Sequence, residues 1–166
     1  MKRVLITGMS GTGKSAVIRE LASRGHAAHD LDTPEWSEWI DAARSDDLTP
    51  IQGKDWVWRE SRVRELLSGA HEGMLFIGGC AENMSRIFPL IDCIILLSAP
   101  VETIVERLAA RSPSGYGHAA DERRKVVELI ATIEPLLRKS ADREIDTRKP
   151  VRATADEILQ ISGSLL

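Results

Sequence analysis

Aromatic side chains are scarce in this chain: four tryptophans, one tyrosine and two phenylalanines in 166 residues. Cysteine is scarcer still, with only Cys80 and Cys93. Each sits in or beside an apolar run and neither belongs to a C-x-x-C spacing, which excludes a disulfide framework and a cysteine metal site and predicts reduced thiols in a cytoplasmic protein. An excess of positive charge is also missing. With 22 Lys+Arg against 25 Asp+Glu the net charge is −3, so there is no electrostatic footprint for duplex nucleic acid or an anionic membrane. No apolar run approaches the ~18 residues of a membrane span, and the one at the N-terminus is too short for a signal peptide. Repeats, low-complexity tracts and linkers are absent. A soluble single domain over residues 1–166, long enough to bury a proper core, is expected.

What the chain does contain is GMSGTGKS at Gly8 to Ser15, directly after the apolar run Val4-Leu5-Ile6. This fits the G-x-x-x-x-G-K-[ST] phosphate-binding loop in its proper setting, a strand before and a helix after. Gly8, Gly11 and Gly13 let the backbone turn tightly so that successive N–H groups face phosphate oxygens. Lys14 reaches the β- and γ-phosphates, Ser15 offers its hydroxyl to magnesium, and the helix N-terminus adds its positive end. The expected nucleotide set is therefore Gly8, Ser10, Gly11, Thr12, Gly13, Lys14, Ser15 and Ala16, with ATP and Mg2+ as cofactors. In the helix that follows, Ala16, Val17, Leu21 and Ala22 supply apolar positions and Gly25 a stop.

Short apolar runs then alternate with helical patterns: Ala27 to Leu31, Met74 to Ile77, Cys93 to Leu97 and a weaker Glu144-Ile145. Together with the first run they predict an α/β fold, a five-stranded parallel sheet with helices on both faces. Apolar spacing predicts helices over Asp55 to Leu67, Val101 to Ala110, Asp121 to Lys139 and Val151 to Ile161. Between two of these lies SPSGYGHAA, Ser112 to Ala120, where Pro113, Gly115 and Gly117 break any helix. It reads as a mobile loop.

Asp30-Leu31-Asp32 closes the second apolar run. Ligands of open parallel sheets gather beyond the carboxyl ends of the strands, which puts this pair at the same crevice as the phosphate loop. Strand alternation predicts both carboxylates on one side, one to serve magnesium and one to accept the proton of an attacking hydroxyl. Phosphoryl transfer asks for little more, because positioning and charge neutralisation do most of the catalysis. All four tryptophans, Trp36, Trp39, Trp56 and Trp58, fall within residues 36–58. Such a cluster predicts either the core of a small helical lobe, with Trp36 and Trp39 on one helical face, or an apolar wall favouring a ring or nucleobase.

In order, GMSGTGKS, HDLDTPEW, WRESR, IGGC and IDTRKP resemble the small P-loop kinases of the shikimate kinase type, and more distantly the nucleoside monophosphate kinases, over nearly the whole chain. The resemblance implies an acceptor lobe at about 33–69 and a lid at about 111–121. It assigns magnesium to Ser15 and Asp30, the acceptor proton to Asp32, and an anionic part of the acceptor to Arg59, with Arg62 beside it. Gly78, Gly79 and Cys80 match a triple-glycine turn at the acceptor. Arg111 matches an arginine over adenine that also serves catalysis with Lys14, Arg107 lies one turn earlier, and Arg148 and Pro150 fall in the loop that closes on the base. Arg123, Arg124 and Lys125, after the lid, read as a solvated helix face.

Three departures from the pattern carry weight. Cys80 replaces the third glycine, the lid lacks an R-P-L-L run, and Ile133-Glu134-Pro135-Leu136-Leu137 lacks the arginine of R-x-P-L-Y. A buried carboxylate without paired donors is costly, so an acceptor other than shikimate is expected. The reading is an ATP- and magnesium-dependent transfer to a small-molecule hydroxyl by a monomer or weak dimer. Its alternatives are a nucleoside or nucleoside monophosphate kinase and, from another class, a nucleotide-dependent switch or accessory ATPase.

Overall fold

The computed structural model describes residues 2–42, 51–69 and 72–164. In chain order its elements are β1 (Lys2–Thr7), α1 (Lys14–Ser23), β2 (Ala27–Asp30), β3 (Ser37–Asp41), β4 (Lys54–Trp58), α2 (Glu60–Ser68), β5 (Met74–Gly78), a 3-10 segment (Met84–Leu90), β6 (Cys93–Ser98), α3 (Val101–Ala109), α4 (Ala120–Thr132), α5 (Glu134–Ser140), β7 (Arg143–Asp146) and α6 (Val151–Gly163). Alternation along the central strands explains the layers. Val4, Ile6, Phe76, Ile95 and Leu97 pack under α1 and α6 with Val17, Ile18, Leu21 and Ile158. Leu5, Leu75, Ile77, Ile94 and Leu96 point the other way, onto Val63, Leu67, Ile104, Leu108, Val126 and Leu129 of the remaining helices. A sheet covered on both faces is what near-continuous apolar strands require.

Strand order is β2-β5-β1-β6-β7, all parallel. Chain connections leave β1 in both directions, so the crevice opens past its carboxyl end. There Ile6 lies beside Gly78, and Asp30 beside Gly78 from the other side. Among the described residues no helix is long and apolar enough to cross a membrane.

Several expected elements differ. The stretch expected to open a helix at Asp55 is strand as far as Trp58, and α2 begins only at Glu60. Trp-Val-Trp is aromatic and β-branched, which suits a strand better than a helix, and Gly53 at φ 73 supplies a turn before it. Trp36 and Trp39 accordingly share no helical face. Trp39 lies on β3, directly opposite Trp56 in an antiparallel hairpin. The single helix expected over Asp121 to Lys139 is two, parted at Ile133, with Pro135 in the first turn of α5. A proline is tolerated there because its missing N–H would have had no helical partner. In α1 the buried positions are Val17, Ile18 and Leu21, while Ala22 is exposed.

Candidate active site

Between Thr7 and Lys14 the chain makes the tight loop that its glycines predict. Gly13 stands at φ 98, immediately before α1. A side chain on Gly8 would put its Cβ 2.5 Å from the carbonyl oxygen of Leu97. The Thr12 hydroxyl donates to Met9 O at 2.7 Å and closes the loop from inside. The Lys14 ammonium donates to Gly8 O at 2.6 Å and Met9 O at 3.0 Å, so it lies folded over the loop's own carbonyls.

The loop forms one end of a cleft of about 460 Å³ whose lining includes Gly8, Ser10, Gly11, Gly13, Lys14, Ser15 and Ala16, and on the far side Asp32, Trp39, Trp56 and Cys80. Tyr116 and Arg111 join from the lid, and Val126 and Leu129 from α4. Asp32 is fastened from several sides. The Cys80 N–H donates to both carboxylate oxygens, at 3.1 and 3.2 Å, and the Trp56 indole N–H to Oδ1 at 3.4 Å. Burial pushes its carboxyl above the ordinary aspartate range, with the Lys14 charge and the Cys80 N–H pulling the other way. Gly79 makes the arrangement possible: a Cβ there would lie 2.7 Å from Asp32 Oδ1. The Cys80 thiol is pushed up to about 11, chiefly by burial, which fits a packed thiol and not a nucleophile.

Asp30 does not share this cleft. Its Oδ1 accepts the N–H of Asp32 at 3.0 Å in a turn just past the end of β2, and its charge adds to the rise of the Asp32 carboxyl. Among the described residues no three His, Cys, Asp or Glu groups converge on a possible metal position. Magnesium, a hard ion that keeps several waters and shares phosphate oxygens, fits the Ser15 hydroxyl beside the loop without such a cage.

A sequence profile described as an AAA domain matches residues 4–128. A protein named shikimate kinase from Syntrophus aciditrophicus is 30% identical over 96% of this chain and 90% of its own length. The chain belongs to the shikimate kinase-like P-loop kinases. Another shikimate kinase, from Caldanaerobacter subterraneus, is 25% identical over 96% of this chain and 95% of its own. The shikimate kinase from Acinetobacter baumannii, solved in complex with shikimate, shares the fold at a TM-score of 0.65, with 21% identity over 99% of this chain and 94% of that one. The shikimate kinase of Bacteroides thetaiotaomicron does so at 0.55, with 12% identity over 96% and 97%.

In this kinase the expected acceptor arginines are turned elsewhere. Arg59 donates to Glu38 at 3.0 Å, and Arg62 donates to Glu35 at 2.6 Å while lying 4.7 Å over the Trp36 ring. Neither lines the cleft. Gly78 also serves packing, because a Cβ there would meet Ile18 at 2.5 Å. Arg111 lines the cleft and donates to Tyr116 O at 2.8 Å, with burial lowering its pKa. Arg107 is a strut: it reaches Gly11 O at 3.2 Å, Thr147 Oγ1 at 2.9 Å and Thr147 O at 2.5 Å. Arg148 pairs with Asp146 at the surface, and the Pro150 carbonyl accepts the first helical N–H of Thr154.

The lid is a run of turns. Gly115 N–H donates to Ser112 O at 2.7 Å, and Gly117 N–H to Glu122 at 2.8 Å. Arg123 donates to His118 O, so it braces the lid rather than a solvated helix face. Sequence reasoning missed Arg19, Tyr116, Val126 and Leu129 as cleft residues. Arg19 was recoverable, since it follows Ser15 by four residues and shares its helix face. For the α4 pair the only signal is the apolar spacing of a helix.

Proposed function

We propose that this kinase transfers the γ-phosphoryl group of ATP to a hydroxyl of a small molecule other than shikimate, with residues 1–166 forming one cytoplasmic kinase domain. The observation that carries the reading is Asp32, recessed in the same cleft as Lys14 and held by the N–H groups of Cys80 and Trp56. A carboxylate raised above its usual range is the better base for an alcohol. Asp32 takes the proton as the acceptor oxygen forms its bond to phosphorus and ADP leaves with the broken bond's electrons.

The loop amides and Lys14 stabilise the transferring group, Lys14 exchanging its present carbonyl partners for phosphate oxygens. Ser15 would hold magnesium, with Asp30 reaching it only through water. Bound there, the ion neutralises phosphate charge. Arg111 faces the base end, and Arg107 acts through Gly11 and the loop at Thr147. The engagement of Arg59 and Arg62 by glutamates, with no arginine in Ile133 to Leu137 or in the lid after Arg111, supports an acceptor without shikimate's carboxylate.

Incubation with magnesium and γ-labelled ATP in a fractionated small-molecule extract, with Lys14→Ala as blank, tests the proposal. A labelled phosphoester absent from the blank is expected. Label confined to inorganic phosphate, or turnover of shikimate as efficient as that of any other acceptor, refutes the corresponding part.

A further inference from the structure

Beyond Asp32, the acceptor end of the cleft is made of rings and alkyl groups. Trp39 and Trp56 face each other across the hairpin with ring centroids 4.8 Å apart, tilted by 54°, and both line the cleft. Trp39 keeps 43% of its surface exposed. Tyr116, Val126 and Leu129 make up most of the remaining apolar lining. A half-exposed indole at a ligand cleft, backed by a second, offers a broad π-face, which recognises flat unsaturated rings.

Charge argues in the same direction. Among the described residues, the cations that line the cleft are Lys14, Arg19 and Arg111. Lys14 sits in the phosphate loop, Arg19 shares the helix face of Ser15, and Arg111 is tied to the lid at Tyr116. Lys14 and Arg19 thus stand on the helix that opens at the phosphate loop, and Arg111 is engaged by a lid carbonyl. The fixed charge at the acceptor end is the Asp32 carboxylate, which repels a second carboxylate and leaves it without donors. Because the Trp56 N–H touches Asp32 itself, the hydroxyl that Asp32 deprotonates lies at the edge of the indole wall.

We infer that the acceptor is an uncharged alcohol whose body is a flat unsaturated ring, lying against Trp39 and Trp56 with its hydroxyl on or next to the ring. The inference rests on the phosphotransfer reading above. Its test begins with the labelled phosphoester formed from the extract, dephosphorylated and characterised by mass, ultraviolet absorbance and retention on an anion exchanger. An acceptor that absorbs as an unsaturated ring and passes the exchanger unretained is expected. A labelled acceptor that carries a carboxylate or lacks such a ring overturns the inference and leaves phosphotransfer standing. If no organic product is labelled, phosphotransfer fails and the inference falls with it. With the acceptor in hand, Trp39→Ala is expected to raise its KM at least tenfold while the KM for ATP moves less than twofold. Melting curves check that the exposed substitution leaves the fold intact. An unchanged acceptor KM overturns the role of the indole wall.

Discussion

The indole nitrogen of Trp56 lies 3.4 Å from Oδ1 of Asp32, joining the hairpin to the floor of the cleft. That N–H favours the charged carboxylate, against the burial that raises its pKa. Trp56→Phe keeps a ring and removes the donor, so the carboxyl should titrate higher. Activity needs the deprotonated form and is lost as pH falls through that pKa. The acid limb of the kcat/KM profile should therefore move up by about half a unit. A limb that stays in place or moves down separates Trp56 from the base.

Asp32→Asn should lower kcat by roughly 10²- to 10⁴-fold, the range for a lost general base. It should also stabilise the fold by about 1 kcal/mol at neutral pH, because a recessed charge disappears. The sign with pH follows from the raised carboxyl. The native state binds its proton more tightly than the unfolded chain, so wild-type stability falls as pH rises through the folded pKa. The gain of the variant should appear above that pKa and vanish in acid. Denaturant melts at several pH values check it, and near-normal kcat would favour a phosphate acceptor over a hydroxyl.

Adjacent glycines should fail differently. A Cβ on Gly78 meets Ile18 at 2.5 Å, whereas one on Gly79 meets Asp32 Oδ1 at 2.7 Å and Trp58 at 3.1 Å. Gly78→Ala should destabilise by about 1–3 kcal/mol through overpacking. Gly79→Ala should displace the base and lower kcat by roughly 10²-fold. Melting temperature and kcat, measured for both, should rank the two variants in opposite order.

Arg107 joins Gly11 of the phosphate loop to Thr147 with three hydrogen bonds. Arg107→Met, which keeps the apolar stem, should cost about 2 kcal/mol of stability. The KM for ATP should rise more than that for the acceptor, since Gly11 belongs to the phosphate loop. Equal changes in the two constants would contradict the assignment.

Much of this was legible in the chain because it depends on local chemistry. GMSGTGKS specifies its loop through glycines and one lysine, and the buried strands announce themselves as apolar runs. The hairpin was not, because Trp36 and Trp39 are spaced as on a helix and only the pairing of Trp39 with Trp56 reveals a strand. Arg59 carried a motif match but no information about Glu38, which approaches from β3, 21 positions away. The shared helix expected over Asp121 to Lys139 fails at Pro135, a signal that was present and outweighed by the apolar period. Asp30 illustrates a further limit. β2 ends at Asp30, whose Oδ1 takes the N–H of Asp32 in a turn, so strand alternation does not govern where Asp32 stands.

Ile18 of α1 rests directly on Gly78, and the two residues after Gly78 clear space for Asp32 and fasten it. The helix that opens at Lys14 and the shelf that carries the base are thus one solid piece of the central sheet. In the tryptophan hairpin β4 is fastened to that piece, with Trp58 buried and paired through its main chain to Asn83, while Trp39 on β3 stays exposed at the cleft. A lineage could therefore vary the exposed face of β3 and try new alcohols while the spacing between phosphate loop and base stayed the same. Chemistry and choice of substrate are, in this architecture, separately heritable.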